Sequence, residues 1–232
     1  MGLRETVRSA VRLYARLDEV HTVVYLVDLA CGGPYAEADS LLDSAERERA
    51  ASFRLPTRRR QFLICRLAVR TLLGDAMGVE PHHIPLRNGP HGKPEVALAN
   101  NAGWHFNISH SGDLGLIALR AGAPVGVDIQ RLPHEFPWRR LMPRICSGTE
   151  LEEVLREAAT LGDQAFAQRW AAREALLKAW GGVSPERVGL HRDRGGRMRV
   201  TRACGGGLES PTVVCLDVQA GFVGAIATLA SI

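Results

Sequence analysis

Two carboxylates from separate segments are the residues of this chain best suited to chemistry. Asp128 is set into Gly126-Val127-Asp128-Ile129-Gln130, and Glu174 into Trp170-Ala171-Ala172-Arg173-Glu174-Ala175-Leu176-Leu177-Lys178. An acid pair with a lysine one helical turn away has the composition that holds a divalent cation against a polyphosphate. Hard cations take oxygen ligands, and phosphates take charged donors. A third segment, His105-Phe106-Asn107-Ile108-Ser109-His110-Ser111-Gly112, ends in a Ser-His-Ser-Gly turn whose side-chain and backbone donors suit an anion. In a fourth, Gly89-Pro90-His91-Gly92-Lys93-Pro94, the glycines admit a ligand close to the backbone and the proline keeps Lys93 extended.

Each of these residues also has an ordinary structural reading. Asp128 alternates with Val127 and Ile129, so a strand turns it to the opposite face, shared with Gln130. An acid so placed can simply pair with an arginine or cap a helix. Trp170, Glu174 and Lys178 recur at four-residue spacing and lie along one helical stripe, where Glu before Lys is a common surface ion pair worth about 0.2–0.5 kcal/mol. The tryptophan makes that stripe half-buried, and a bare carboxylate there needs a partner. The serines of the third segment can serve buried hydrogen bonds, and His110 can be a satisfied core histidine.

The elements that would position these groups fall into two halves with one plan. A strand over 22–28 precedes an acid- and arginine-rich helix over 44–52 and a longer helix over 59–77. Then come strands over 104–109 and 114–119. The second half repeats this with a strand over 125–130, an acid-rich helix over 148–159 and a helix over 166–180. Strands over 198–202, 212–218 and 222–229 follow, the last two joined as a hairpin at Ala220-Gly221. Arg66 precedes Gly74 by the interval at which Arg173 precedes Gly181, which puts Leu67 at the position of Glu174. The expectation is an α+β fold of two pseudo-symmetric halves, residues 1–122 and 123–232, joined at Ala121-Gly122-Ala123-Pro124, with a ligand cleft between them. Leu3, Val7, Val11 and Tyr14 recur at helical spacing and predict a helix at the N-terminus.

Composition narrows the function classes. The 232 residues are 46% hydrophobic and 23% charged, the balance of an ordinary globular protein large enough to bury a core. No apolar run reaches the roughly 18 residues of a membrane helix, and the arginine-rich N-terminus lacks the apolar stretch of a secretory signal, so a cytoplasmic setting is expected. Five dispersed cysteines form neither a disulfide framework nor a zinc motif, and Cys65 and Cys215 read as core thiols. The net charge of +4 points to an acidic partner or ligand. Arg58-Arg59-Arg60 is the one tight basic run, and it reads as a solvated helix face rather than a nucleic-acid contact.

Taken in order, Gly92-Lys93-Pro94, Phe106 to Gly112, Gly126-Val127-Asp128-Ile129 and Trp170-x-x-Arg173-Glu174-Ala175-x-x-Lys178 resemble the 4′-phosphopantetheinyl transferases. The likeness is to the larger, monomeric surfactin-synthetase-activating type. The Glu46 to Phe53 segment matches as well, so the resemblance covers about residues 44–182. It implies magnesium-dependent transfer of phosphopantetheine from coenzyme A to a serine of an acidic carrier protein, releasing adenosine 3′,5′-bisphosphate. The carriers would be those of polyketide, nonribosomal peptide or fatty acid synthesis, and manganese would be the substitute ion. Neither membrane nor nucleic acid is implied as a partner. By the same resemblance Asp128, Glu174 and, as an amide, Gln130 would hold the metal. Glu174 would act as base, and Lys178 would steady the diphosphate. His110, Ser109 and Arg49 would meet the ribose phosphate, while Lys93, Arg87 and Asn107 complete the coenzyme A contacts. Two residues depart from the pattern. Gln130 stands where many members carry glutamate, and Arg173 stands where lysine is usual, which leaves a phosphate contact but no proton transfer there. These departures keep open a catalytically weakened relative that binds coenzyme A or a carrier without efficient turnover.

Overall fold

A computed structural model describes residues 3–17, 21–32, 38, 40–89, 92–97, 103–132, 138–146, 148–181, 188–193, 197–202 and 211–230. The chain begins with α1 (Leu3–Ala10), β1 (Val11–Leu17), β2 (Thr22–Asp28), α2 (Ser44–Ala51) and α3 (Pro56–Met77). The short hairpin β3 (Leu86–Asn88) and β4 (Pro94–Val96) leads to β5 (Trp104–Ser111) and β6 (Leu114–Ala121). It continues with β7 (Val125–Arg131), α4 (Trp138–Ile145), α5 (Gly148–Leu161), α6 (Asp163–Trp180), β8 (Gly189–Arg192), β9 (Met198–Arg202), β10 (Thr212–Gln219) and β11 (Phe222–Thr228). The two larger sheets have the orders β1-β2-β6-β5 and β10-β11-β7, beside the hairpins β3-β4 and β8-β9, all antiparallel. The strand order β2-β6-β5 therefore recurs as β7-β11-β10, and the fold is α+β in two pseudo-symmetric halves.

The helices start and stop where local chemistry directs. Asp43 caps α2, accepting from the Glu46 amide at 2.8 Å while Glu46 reaches back to the Asp43 amide at 3.2 Å. Pro56 opens α3, which ends at Gly78 in the left-handed conformation, as α6 ends at Gly181. The helix ends at Met77 as expected, but the frame that matched Gly74 to Gly181 is corrected by one turn. Gly74 lies inside the helix because a Cβ there would sit 2.7 Å from the Val79 carbonyl oxygen. In the structure Gly78 matches Gly181 and Arg70, not Arg66, matches Arg173. The same 103-residue offset carries Thr22 of β2 onto Val125 of β7.

Both matched arginines are buried at 1% exposure and clamp the third residue of the preceding helix. Arg70 meets Glu46 at 2.7 Å and Arg173 meets Glu150 at 2.8 Å. Removing one partner of such a pair would leave a charge buried and uncompensated. Arg173 thus faces α5, with a further bond to the Ile145 carbonyl at 3.2 Å, rather than lining the cleft where a phosphate contact was expected of it.

Val24, Leu26, Leu116 and Ala118 on one face of the first sheet pack against Val125, Val127, Ile129, Leu216 and Ile226 of the second. The other face of the first sheet carries Val27, Phe106, Ile117 and Leu119 against α3. Each fully buried aliphatic side chain contributes about 1.5–3 kcal/mol. The predicted N-terminal helix stops at Ala10, and Val11 to Leu17 form an edge strand on β2 instead, with the Tyr14 hydroxyl donating to the Asp217 carbonyl at 2.8 Å. A register of bonds to β2 outweighs local helical spacing there. The Gly195-Gly196 and Gly205–Gly207 loops lie outside the described residues. Among the described residues no helix is long and apolar enough to cross a membrane.

Gly126 sets the distance between α6 and β7. A Cβ at that position would run into the Ala175 carbonyl oxygen and lie 2.6 Å from the Ala179 amide nitrogen, both of them backbone. Val23 fills the matching position of β2. Gly126→Ala is expected to destabilise the protein by about 3 kcal/mol in denaturant unfolding, because helix backbone must move. Gly148→Ala, which meets only open space, should be neutral or slightly stabilising. Equal effects from the two would contradict the close approach.

Candidate active site

α6 is buried on every side except one stripe. Between Ala165 and Ala179 the only residues not buried are Trp170, Glu174 and Lys178, four positions apart. Trp170 leans on Trp138 of α4 with ring centres 5.7 Å apart. The close approach at Gly126 brings the rest of the stripe against Asp128, whose face of β7 is the one turned to α6.

Asp128 is 3% exposed and fully engaged. Its Oδ1 accepts from Lys178 Nζ at 2.7 Å and from Ser109 Oγ at 2.7 Å, and its Oδ2 accepts from the Gln130 amide nitrogen at 2.6 Å. Lys178 Nζ also donates to the Val127 carbonyl at 3.1 Å. Glu174 contrasts with this: among the described residues nothing hydrogen-bonds to its carboxylate. Burial raises its pKa, the charge of Asp128 raises it further, and Lys178 offsets part of the rise.

Glu174 and Lys178 open onto a cleft of about 830 Å³ between α3 and α6. Arg58, Gln61, Phe62, Cys65 and Arg66 of α3 form one wall, Glu174, Leu177 and Lys178 the other, and Asn107, Ile108 and His110 of β5 the floor. Lys93 lines it too, its Nζ donating to the Val125 carbonyl at 3.2 Å and the Lys178 carbonyl at 2.7 Å. Burial lowers the Lys93 pKa to about 8; Glu95 opposes that shift and Lys178 adds to it. His110 is exposed into the cleft, yet the enclosing walls desolvate it and depress its pKa, with Arg58 and Lys178 adding to the effect. Burial pushes the Cys65 thiol up to about 12, so it behaves as a core thiol.

The other expected contacts are distributed around this cleft. Arg49 and Arg87 line a side cavity of about 730 Å³ that shares Phe53, Phe62 and Arg66 with it. Arg49 stacks on Phe53 at 4.7 Å, and exposed Arg87 lies 3.6 Å from Glu95. Ser109 is buried behind the floor, while Asn107 holds the Val127 amide at 2.8 Å. Pro90 and His91 lie outside the described residues.

The acid pair fits a hard dication. Its donors are all oxygens, one carboxylate lacks a hydrogen-bond donor among the described residues, and its proton affinity is raised partly by the other, a tension that a cation between them would relieve. Among the described residues no third His, Cys, Asp or Glu completes a cluster. A cation held here would rest on these two carboxylates among the described residues.

Comparison with known proteins assigns the chain. A model of the 4′-phosphopantetheinyl transferase superfamily matches residues 124–225, and a model of the 4′-phosphopantetheinyl transferase N-terminal region matches residues 32–121. The 4′-phosphopantetheinyl transferase HetI of Nostoc sp. is 31% identical over 168 residues, 71% of this chain and 69% of HetI. The chain belongs to the 4′-phosphopantetheinyl transferase superfamily. It is also similar to slr0495 of Synechocystis sp., named for the same transferase, at 34% identity over 146 residues, 62% of this chain and 59% of that protein. The holo-(acyl-carrier-protein) synthase structure of Thermotoga maritima overlies 47% of this chain and 64% of its own at a TM-score of 0.41 and 22% identity.

Several residues of this superfamily member were not singled out by sequence. Arg58, taken with its neighbours as a solvated face, lines the cleft near His110. Gln61 donates to the Gly112 carbonyl at 2.9 Å and so fixes the turn that follows His110. The i, i+3 step from Arg58 to Gln61, with Phe62 and Cys65 beside it, is the signal that one face of α3 is shared.

Replacing Glu174 by Gln should raise the melting temperature at pH 7 in chelated buffer. The folded protein holds the Glu174 proton more tightly than the unfolded chain. Wild-type stability therefore falls as pH rises from the ordinary carboxylate value, about 4.3, through the higher folded value. The advantage of Glu174→Gln should grow across that interval and vanish in acid. A less stable variant at pH 7 would contradict the geometry.

Proposed function

We propose that this chain transfers 4′-phosphopantetheine from coenzyme A to a serine of an apo carrier protein. The observation that carries the reading is Glu174, a half-buried carboxylate with no hydrogen bond among the described residues and raised proton affinity, facing Asp128 beside a lysine in a cleft of nucleotide size. Superfamily membership supports the same reaction.

In this reading coenzyme A lies along the cleft, with its ribose phosphate toward His110, Arg58 and Arg49 and its diphosphate toward Lys178. Asp128 and Glu174 would hold magnesium, or manganese in its place, which would supply neutralising charge at the diphosphate. Gln130 steadies Asp128 through its amide. Glu174 takes the proton from the carrier serine Oγ as that oxygen bonds to the phosphorus bearing pantetheine. The bond from that phosphorus to the bridging oxygen breaks, and adenosine 3′,5′-bisphosphate leaves with the bonding electrons. The cleft mainly positions the groups and neutralises their charge. The net charge of +4 suits carriers with acidic docking surfaces. The setting inferred is cytoplasmic and the acting unit a monomer.

Incubation with an apo carrier protein, coenzyme A and magnesium should add one phosphopantetheine to the intact mass of the carrier. Chelator, Asp128→Ala and Glu174→Ala should each lower the rate by at least about a hundredfold. Coenzyme A bound without a mass gain on any of several carrier types would instead support the weakened relative.

A further inference from the structure

β5 and β7 run parallel and side by side, yet no backbone ladder joins them in either sheet. Side chains take its place. Asn107 Oδ1 accepts from the Val127 amide at 2.8 Å, Ser109 Oγ from the Ile129 amide at 3.4 Å, and Ser111 Oγ from the Arg131 amide at 3.1 Å. The three rungs keep one register, each β5 residue meeting the β7 residue twenty positions on. Small polar residues at alternate positions of β5 are thus the acceptors that strand carbonyls would otherwise be.

Among the described residues, only the middle rung does a second thing. Ser109 Oγ, while accepting from Ile129, donates its proton to Asp128 Oδ1 at 2.7 Å, the oxygen that also receives Lys178. A hydroxyl held by a backbone amide has its donor direction fixed, and a hydrogen bond to a carboxylate is among the stronger kinds. The geometry points to Ser109 as a positioning residue that aims the Asp128 carboxylate at the cation, rather than as a contact to the ribose phosphate. The inference rests on the proposed function in so far as Asp128 is a metal ligand.

Ser109→Ala, Ser109→Thr and Ser111→Ala are compared with the wild type in turnover, in the KM for coenzyme A, and in affinity for Mn²⁺ by electron paramagnetic resonance. Ser109→Ala should lower kcat and weaken Mn²⁺ about tenfold or more, with the KM for coenzyme A within about twofold. Ser109→Thr, which keeps the hydroxyl, should recover most of both. Ser111→Ala breaks the next rung without touching Asp128 and should behave as wild type. If Ser109→Ala fails to fold, Ser109→Cys, a weak donor of similar shape, carries the comparison. Equal effects from Ser109→Ala and Ser111→Ala would overturn the inference, as would a raised KM with unchanged Mn²⁺ affinity. A wild type that binds Mn²⁺ without turnover would sink the proposed function alone, since Mn²⁺ affinity still decides Ser109. A wild type that binds no Mn²⁺ overturns both.

Discussion

The site depends on how closely α6 lies against β7. Gly126 lets helix backbone sit where a side chain would otherwise be, and the stripe of Glu174 and Lys178 comes down beside Asp128. Three donors on Asp128 and, among the described residues, none on Glu174 then give two carboxylates of unequal character from adjacent elements. The buried pair of Arg173 and Glu150 supports it from behind by fixing the rotation of α6 against α5. Arg169 adds contacts of 3.0 Å to both Glu153 and Glu157.

The repeat explains why one half carries the chemistry. With the 103-residue offset, Asp128, Glu174 and Lys178 correspond to Tyr25, Thr71 and Asp75. Those three still line a common cavity, but it is small, about 250 Å³, and Val7 and Arg8 of α1 help to close it, with Arg8 paired to Asp75 at 2.8 Å. A phenol, a hydroxyl and one acid cannot hold a dication as an acid pair does. The first half instead contributes the wall and floor of the cleft through α3 and β5, and Lys93 ties β4 to the end of α6.

Much of this was legible in residues whose role is local. Alternation placed Asp128 and Gln130 on one face, and four-residue spacing placed Trp170, Glu174 and Lys178 on one stripe; backbone periodicity settles both. The order of the longer strands and helices followed from apolar runs in the same way, whereas β1, the β3–β4 hairpin, α4 and β8 did not. Tertiary packing decided the rest. Arg173 sits beside the site residue in sequence, yet helix rotation turns it away. Gly74 looks like a helix terminator, but its reason is the approach of Val79. The serines of β5 offered donors for a phosphate and acceptors for a strand alike, and only the position of β7 chooses between them. Val11 to Leu17 satisfies helical and strand spacing equally, and pairing with β2 selects the strand.

The central claim is that Asp128 and Glu174 share one cation beside the diphosphate of coenzyme A. Crystals grown with coenzyme A and Mn²⁺ would test it through the anomalous scattering of manganese. The account predicts a single peak bridging the two carboxylates, with Lys178 turned from Asp128 Oδ1 toward the ligand. Coenzyme A in the cleft with manganese absent from that position, or held elsewhere, would contradict it.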